Sequence, residues 1–359
     1  MRILFALPGF HRYDRGAEIA LMAVATELAN TGDTVTLIGA GEPRPDTPYR
    51  YIQAPAIRRE RFEAFPSLPA LRNNTAYEEA TFAPGLAARF RAADYDLTVT
   101  CAYPFTNWTL RRPTMGHHPR HVFVTQNGDW PAYSGKSEYR FFGCDGLVCI
   151  NPDYFERNRE RWNSALIPNG MDPARFSPGP ATREAFGLPI DKPVVLMVSA
   201  LIPSKRVDVG IRAVAQIPGV HLVDAGDGPM RDEVDRLAND LMPGRFSRIS
   251  VTPDRMPSLY RSADVFLHLS KDESFGNVYV EAMACGLPIV AHDWPRTRWI
   301  VGDDEFLADS DDTGALVAAI QAALAAEGAG IEARLERAKR FAWANIATQY
   351  RDFFASIIR

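Results

Sequence analysis

The chain has 359 residues, 46% of them hydrophobic and 23% charged, with a net charge of −4. That length exceeds one ordinary hydrophobic core and points to two globular domains. The acidic balance argues against a general nucleic-acid binder, which carries a basic excess, and no run of about 18 apolar residues offers a membrane span.

Short apolar runs alternate with amphipathic stretches from end to end. In the first half, strands are expected at 2–7, 34–38, 97–101, 122–125, 146–150 and 165–167. Residues 16–29 carry Ile19, Met22, Ala23 and Leu28 at helical spacing. Residues 41–75, rich in Pro and Arg, are expected to be irregular and partly mobile. The apolar start Ile3–Leu7 is short, lacks a basic leader and enters a Pro-Gly loop, so it reads as a first strand and not as a secretory signal. Cys101, Cys144, Cys149 and Cys285 form neither a metal-type spacing nor a disulfide framework, which suits a reducing cytoplasm. The basic stretches 58–61 and 111–121 read either as solvated surface or as a patch for an anionic acceptor or a membrane surface.

A turn signal at Asn169-Gly170 and a linker through Phe176–Pro180 precede a second series. Strands are expected at 193–198, 220–224, 248–251, 264–270 and 287–291, with helices over 206–216 and 229–241. The end, Ile331 to Arg359, reads as one long helix or a pair. The restart predicts an α/β protein of two doubly wound, Rossmann-like domains facing across a cleft. The first spans residues 1–180 and the second 181–340, with a closing helix over 341–359 that crosses back to the first.

The most informative run is Glu273-Ser274-Phe275-Gly276-Asn277-Val278 through Glu281 to Pro288. It lies between two strand candidates, so it occupies a loop and helix start outside the carboxyl ends of a parallel sheet. A helix beginning near Gly276 leaves Glu273 at its mouth and Glu281 in its second turn. The amides of Phe275, Gly276 and Asn277 are then helix-start donors suited to phosphate. Two carboxylates for hydroxyls and bare amides for phosphate match a nucleotide-sugar. Lys205 and Arg206 stand at another helix start, where the dipole disfavours cations, which favours an anion between them, a diphosphate. Gly226-Asp227-Gly228-Pro229 follows a strand and permits close backbone approach, with a tight turn as the plainer reading. Gly9, Gly16 and the polar residues between them form the loop after the first strand, which should overhang the cleft.

Other patterns carry less. Asp309-Ser310-Asp311 and Asp94-Tyr95-Asp96 have metal-site letters, yet Asp311 or Asp312 is more simply a helix N-cap and Asp94 a turn residue. His117, His118 and His121 sit in a Pro-rich stretch that fixes no coordination geometry. No metal is expected.

Taken together, the chain resembles the GT-B fold glycosyltransferases of the large retaining group called family 4. The residues that carry this are Pro168-Asn169-Gly170-Met171-Asp172 with Phe176, Lys205, Gly226–Pro229, the Glu273–Val290 stretch, and Trp343; the first domain contributes its initial strand and Gly16-Ala17-Glu18. The resemblance implies that Glu281 holds ribose hydroxyls and that Glu273 lies beside the donor sugar. It assigns the diphosphate to Lys205, to Arg206 and to the amides of Phe275 to Val278. It implies no cofactor beyond the nucleoside-diphosphate sugar as co-substrate, UDP-sugars first and GDP-sugars second. Transfer would be hexosyltransferase-type, metal-independent and retaining, by same-face attack of an unidentified acceptor hydroxyl. Two departures stand out. Ser199-Ala200-Leu201 replaces a Gly-Arg-Leu pattern, and Arg206 is expected to supply the missing charge. Gln126 stands where a histidine is common near the sugar, and it cannot take a proton in this pH range. An epimerase or a phosphorylase of the same architecture, or a nucleotide-sugar binder that has lost catalysis, are the alternatives.

Overall fold

A computed structural model of the chain describes every residue except Met115 and Lys136. It divides into two units, one of Met1–Asn169 with Trp343–Arg359, the other of Gly170–Ala342.

In unit 1 the strands are β1 (Arg2–Ala6), β2 (Thr34–Gly39), β3 (Arg50–Gln53), β4 (Leu97–Thr100), β5 (Arg120–Val124), β6 (Gly146–Cys149) and β7 (Ser164–Leu166). They form one sheet in the order β3-β2-β1-β4-β5-β6-β7, parallel at every pairing. Apart from the exposed first residues of β1 and β2, strands β1, β2, β4 and β6 are buried throughout. That is why they read as continuous apolar runs: helices cover both faces of a parallel sheet. Asn73 and Asn151 cap the helices Asn74–Arg89 and Pro152–Asn158, their side chains accepting from the Ala76 and Tyr154 amides. The closing helix Trp343–Ile358 belongs to this unit and packs on the helix Gly16–Asn30.

Unit 2 carries β8 (Val194–Val198), β9 (His221–Ala225), β10 (Phe246–Ile249), β11 (Val265–His268), β12 (Ile289–His292) and β13 (Phe306–Ala308). Their order is β10-β9-β8-β11-β12-β13, again parallel. Its core gathers Val195, Met197 and Leu267 of the sheet with Ile211 and Val214 of the helix Val207–Ala215 and Leu316 and Ile320 of Thr313–Ala325. In each sheet the chain starts at the centre and winds both ways. The order therefore reverses beside β1 and β4 in one unit, and beside β8 and β11 in the other. Ligands of such sheets settle outside the strand ends at that reversal.

Three expectations change. Residues 41–75 are not wholly irregular: they hold β3, a short helical turn at Arg59–Phe62, and an aromatic cluster of Phe62 and Phe65 with Tyr77. β3 and β13, edge strands of four and three residues, are strands that were not expected. Residues 170–180 join unit 2, because the Met171 amide donates to the Phe341 carbonyl and Arg261 binds the carbonyls of Arg175 and Ser177. The chain's end is a pair of helices, Ile331–Lys339 and Trp343–Ile358.

Candidate functional site

The reversal in unit 2 is where the sequence-selected residues collect. Lys205 closes a short helical turn, Pro203–Lys205, after β8, and Glu273 lies in the loop after β11. The Lys205 ammonium donates to Glu273 Oε2 at 2.5 Å. His268, the last residue of β11, places Nε2 3.2 Å from the same oxygen. The Arg296 guanidinium donates to the Glu273 backbone carbonyl. Burial alone would push the Glu273 carboxyl up, but the His268 hydrogen bond and the neighbouring Lys205 charge outweigh it and hold it down at about 2. Glu273 is thus an ionised, positioned acceptor whose partners converge on one oxygen.

Gly276 occupies the left-handed region, φ 86, and starts the helix Asn277–Ala284. A side chain there would be strained and would crowd Tyr279 and Glu273. The Phe275 ring is buried against Trp299 and Phe341, which pins the loop. The first-turn amides, at Asn277 and Val278, have no acceptor within their own helix; Ser274 precedes them in the loop. Glu281 falls in the second turn, as its spacing required. Its Oε2 accepts from the Tyr260 hydroxyl at 2.9 Å, and burial raises its carboxyl above the usual range despite that bond and the Arg175 charge. The two carboxylates therefore differ in kind, one held by an ammonium and an imidazole, the other by a phenol.

The remaining residues are placed as follows. Arg206 does not join the Lys205–Glu273 pair. Its backbone is left-handed, φ 56, and its guanidinium donates to Asp311 Oδ1 at 2.6 Å and to the Ser310 carbonyl at 3.1 Å. Lys271 holds the other oxygen of Asp311. The charge expected from Arg206 is thus already answered by Asp311, and Asp312 is the N-cap, accepting from Ala315. Gly226 and Gly228 serve a close approach, but to protein. A Cβ at Gly226 would fall 1.9 Å from the Ser199 carbonyl oxygen, and one at Gly228 2.5 Å from that of Leu201. The two loops are stitched by Leu201 N to Asp227 O and Met230 N to Leu201 O.

Gln126 and Gly16 belong to unit 1. The Gln126 side chain makes a reciprocal amide pair with Asn169, 2.5 Å one way and 3.1 Å the other, and both residues are buried. Gly16 begins the helix Gly16–Asn30 with open space where a side chain would stand. Of the histidine cluster, His121 is a core residue of β5 bonded to Thr98 and Asn107.

Sequence reasoning passed over four contributors in unit 2. His268 is a polar residue closing an apolar strand five positions before Glu273, and that anomaly was readable. Arg296 stands in the first turn of Pro295–Val301, unfavourable for the helix dipole just as Lys205 and Arg206 are. Ser199 and Ser270 follow β8 and β11, and their hydroxyl oxygens are buried without a hydrogen-bond partner. Orphaned hydroxyls at the reversal mark a place for a polar ligand; no sequence pattern announces an orphan. Chemically the site offers a cation, helix-start amides and hydroxyls for an anion, and two carboxylates for hydroxyl groups. No helix among the described residues is long and apolar enough to cross a membrane.

Residues 15–175 match the family model described as Glycosyltransferase Family 4, and residues 180–342 match that of Glycosyl transferases group 1. The D-inositol 3-phosphate glycosyltransferase of Mycolicibacterium smegmatis is 36% identical over 203 residues, 52% of this chain and 46% of its own length. That of Mycobacterium bovis is 40% identical over 138 residues, 35% and 28%. The chain thus spans less than half the length of these curated relatives. Among solved structures, sucrose-phosphate synthase from Thermosynechococcus elongatus superposes with TM-score 0.78 at 23% identity, covering 99% of this chain and 100% of its own. Anabaena HepE in complex with UDP-glucose does so with TM-score 0.73 at 19% identity and the same coverage. The two family models take up both halves of the chain, and the fold agrees with them. The chain belongs to the family 4, group 1 type of glycosyltransferases.

Proposed function

We propose that this chain is a retaining, hexosyltransferase-type enzyme that moves a sugar from a nucleoside-diphosphate sugar to an acceptor hydroxyl, without a metal, in the cytoplasm. The observation that carries the reading is the Lys205–Glu273–His268 cluster at the β8/β11 reversal, beside the start of the helix Asn277–Ala284. In this reading Lys205, the first-turn amides and the Ser199 and Ser270 hydroxyls take the diphosphate. A fixed cation and oriented dipoles stabilise the charge that develops on the departing phosphate, the work a metal performs elsewhere. Glu281 takes ribose hydroxyls. Glu273, ionised and fixed through Oε2, offers Oε1 to a hydroxyl of the donor sugar, which orients the anomeric carbon for same-face attack. Arg206 contributes only when its pair with Asp311 opens.

UDP-sugars are the first donor class and GDP-sugars the second; the UDP-glucose held by HepE supports that order. A thermal-shift screen of UDP, GDP and ADP tests the donor, since a ligand at 100 times its dissociation constant adds about 2.7 kcal/mol. One of the three should raise the melting temperature clearly. A flat response to all of them sinks the reading. With the donor in hand, the anomeric configuration of the product by NMR decides retention, and unchanged turnover in a chelator decides metal independence.

A further inference from the structure

Unit 1 holds an open pocket of about 390 Å³ lined by Arg72, Trp130, Tyr133, Ser134 and Tyr139. These residues come from one edge of the sheet. Trp130, Tyr133 and Tyr139 follow β5, and Arg72 precedes the helix Asn74–Arg89. Both positions lie beyond the strands' carboxyl ends, the edge on which such sheets carry ligands. Trp130 and Tyr133 are each 44% exposed, unusual for rings of that size, and each is held from behind. The Trp130 ring lies against Gly128, where a Cβ would come within 1.9 Å of it. The Arg157 guanidinium stands 4.8 Å over Tyr133, and Tyr139 leans on Tyr103 with ring centroids 5.7 Å apart. The aromatic faces are therefore presented in place, and little ordering remains to be done on binding.

The electrostatics select the ligand. Arg72 is paired with the buried Glu138 through two contacts of 2.5 and 3.3 Å, and Arg157 is paired with Asp129 at 3.3 Å. Among the described residues both of these cations are answered by a carboxylate, so neither is an unpaired charge for a phosphate. Guanidinium and hydroxyl groups line the pocket together with the rings, which suits an object with one apolar face and a polar edge better than an acyl chain. A pyranose ring has that form, with C–H bonds on its faces and hydroxyls round its rim.

We propose that this pocket receives the sugar ring of a neutral glycan acceptor, stacked on Trp130 and Tyr133 with its rim hydroxyls toward Arg72 and Ser134. The proposal rests on the glycosyltransferase reading above and names its acceptor class.

The test uses the full chain on an array of neutral, sulfated and phosphorylated oligosaccharides, with Trp130→Ala and Tyr133→Phe alongside. UDP and GDP thermal shifts on each protein report the donor side separately. The wild type should retain a subset of neutral glycans, Trp130→Ala should weaken that signal at least about tenfold, and Tyr133→Phe should keep most of it. Nucleotide shifts should be the same in all three, which also shows that the variants fold. Equal binding by Trp130→Ala overturns the proposal, as does retention of only anionic probes or of none. A nucleotide response that is absent while neutral glycans bind overturns the donor reading instead and leaves the pocket standing.

Discussion

The carboxyl edges of the two sheets have the same topology and opposite chemistry. In unit 2 the loops after β8 and β11 bring Lys205 to the Glu273 carboxylate, with His268 and Arg296 also bonded to Glu273. In unit 1 the loop after β5 carries a neutral amide pair, Gln126 with Asn169, and then exposed aromatic rings. One winding pattern thus carries an ion-paired polar cluster on one sheet and exposed aromatic rings on the other. What separates them is a few residues after each strand, because the strands themselves are occupied with burying the core. The lesson is that fold positions the edge and loop chemistry decides its ligand.

That contrast can be broken at several points. The largest effect is expected for Lys205→Ala. Removing the fixed cation should lower kcat/KM by about 10²–10³, the scale seen when one charge-stabilising donor is lost; steady-state kinetics with the donor identified by thermal shift measures it. A loss below about tenfold would move charge stabilisation elsewhere.

The next effect concerns pH. The Glu273 carboxyl is held at about 2 against an ordinary value of 4.5. A depressed carboxylate contributes stability that is fully present above about 4.5 and lost as pH falls towards 2, of order 3 kcal/mol here. Chemical denaturation should therefore show a wild-type advantage over Glu273→Gln that is constant from pH 6 to 8 and shrinks below about 4.5. An advantage independent of pH would mean that the Lys205 and His268 contacts do not act on the carboxylate.

A smaller change should follow in Glu281→Ala, which should weaken nucleotide binding about ten- to a hundredfold through lost hydrogen bonds to a carboxylate. Titration calorimetry with the nucleoside diphosphate and with the nucleoside alone should show the loss in both. Smallest is Arg206→Ala, whose guanidinium is committed to the exposed Asp311. Its effect on diphosphate affinity should stay below about fivefold. A loss near that of Lys205→Ala would show that the Asp311 pair opens and that Arg206 supplies the charge missing at Ala200.

Much of unit 2 was legible because its signals are local. Glu273, Gly276 and Glu281 stand at fixed offsets within one loop-to-helix turn, so spacing alone set their relation. Lys205 betrayed itself as a cation at an unfavourable helix start. Gly226 and Gly228 were recognised as close-approach positions, but not the backbone they approach, which is 25 residues or more away in the chain. The partner of Arg206 was not legible for the same reason, since nothing near it announces Asp311. Unit 1 was harder to read. Gln126 reveals its partner only when β5 and the Asn169 turn are brought together, and β3 is a strand only because β2 lies beside it.

By itself the sequence determined the periodicity of the strands, the two windings, the helix that begins at Gly276 and the family to which the chain belongs. All of these are written in residues close together along the chain, where sterics and hydrogen bonding act over a few positions. Tertiary structure alone decided which partner answers which group: Lys205 and His268 on Glu273, Asp311 on Arg206, Glu138 on Arg72, and the rings left uncovered around Trp130. Ion pairing and exposure depend on distance in space, and no spacing along a chain carries that before the sheets have formed.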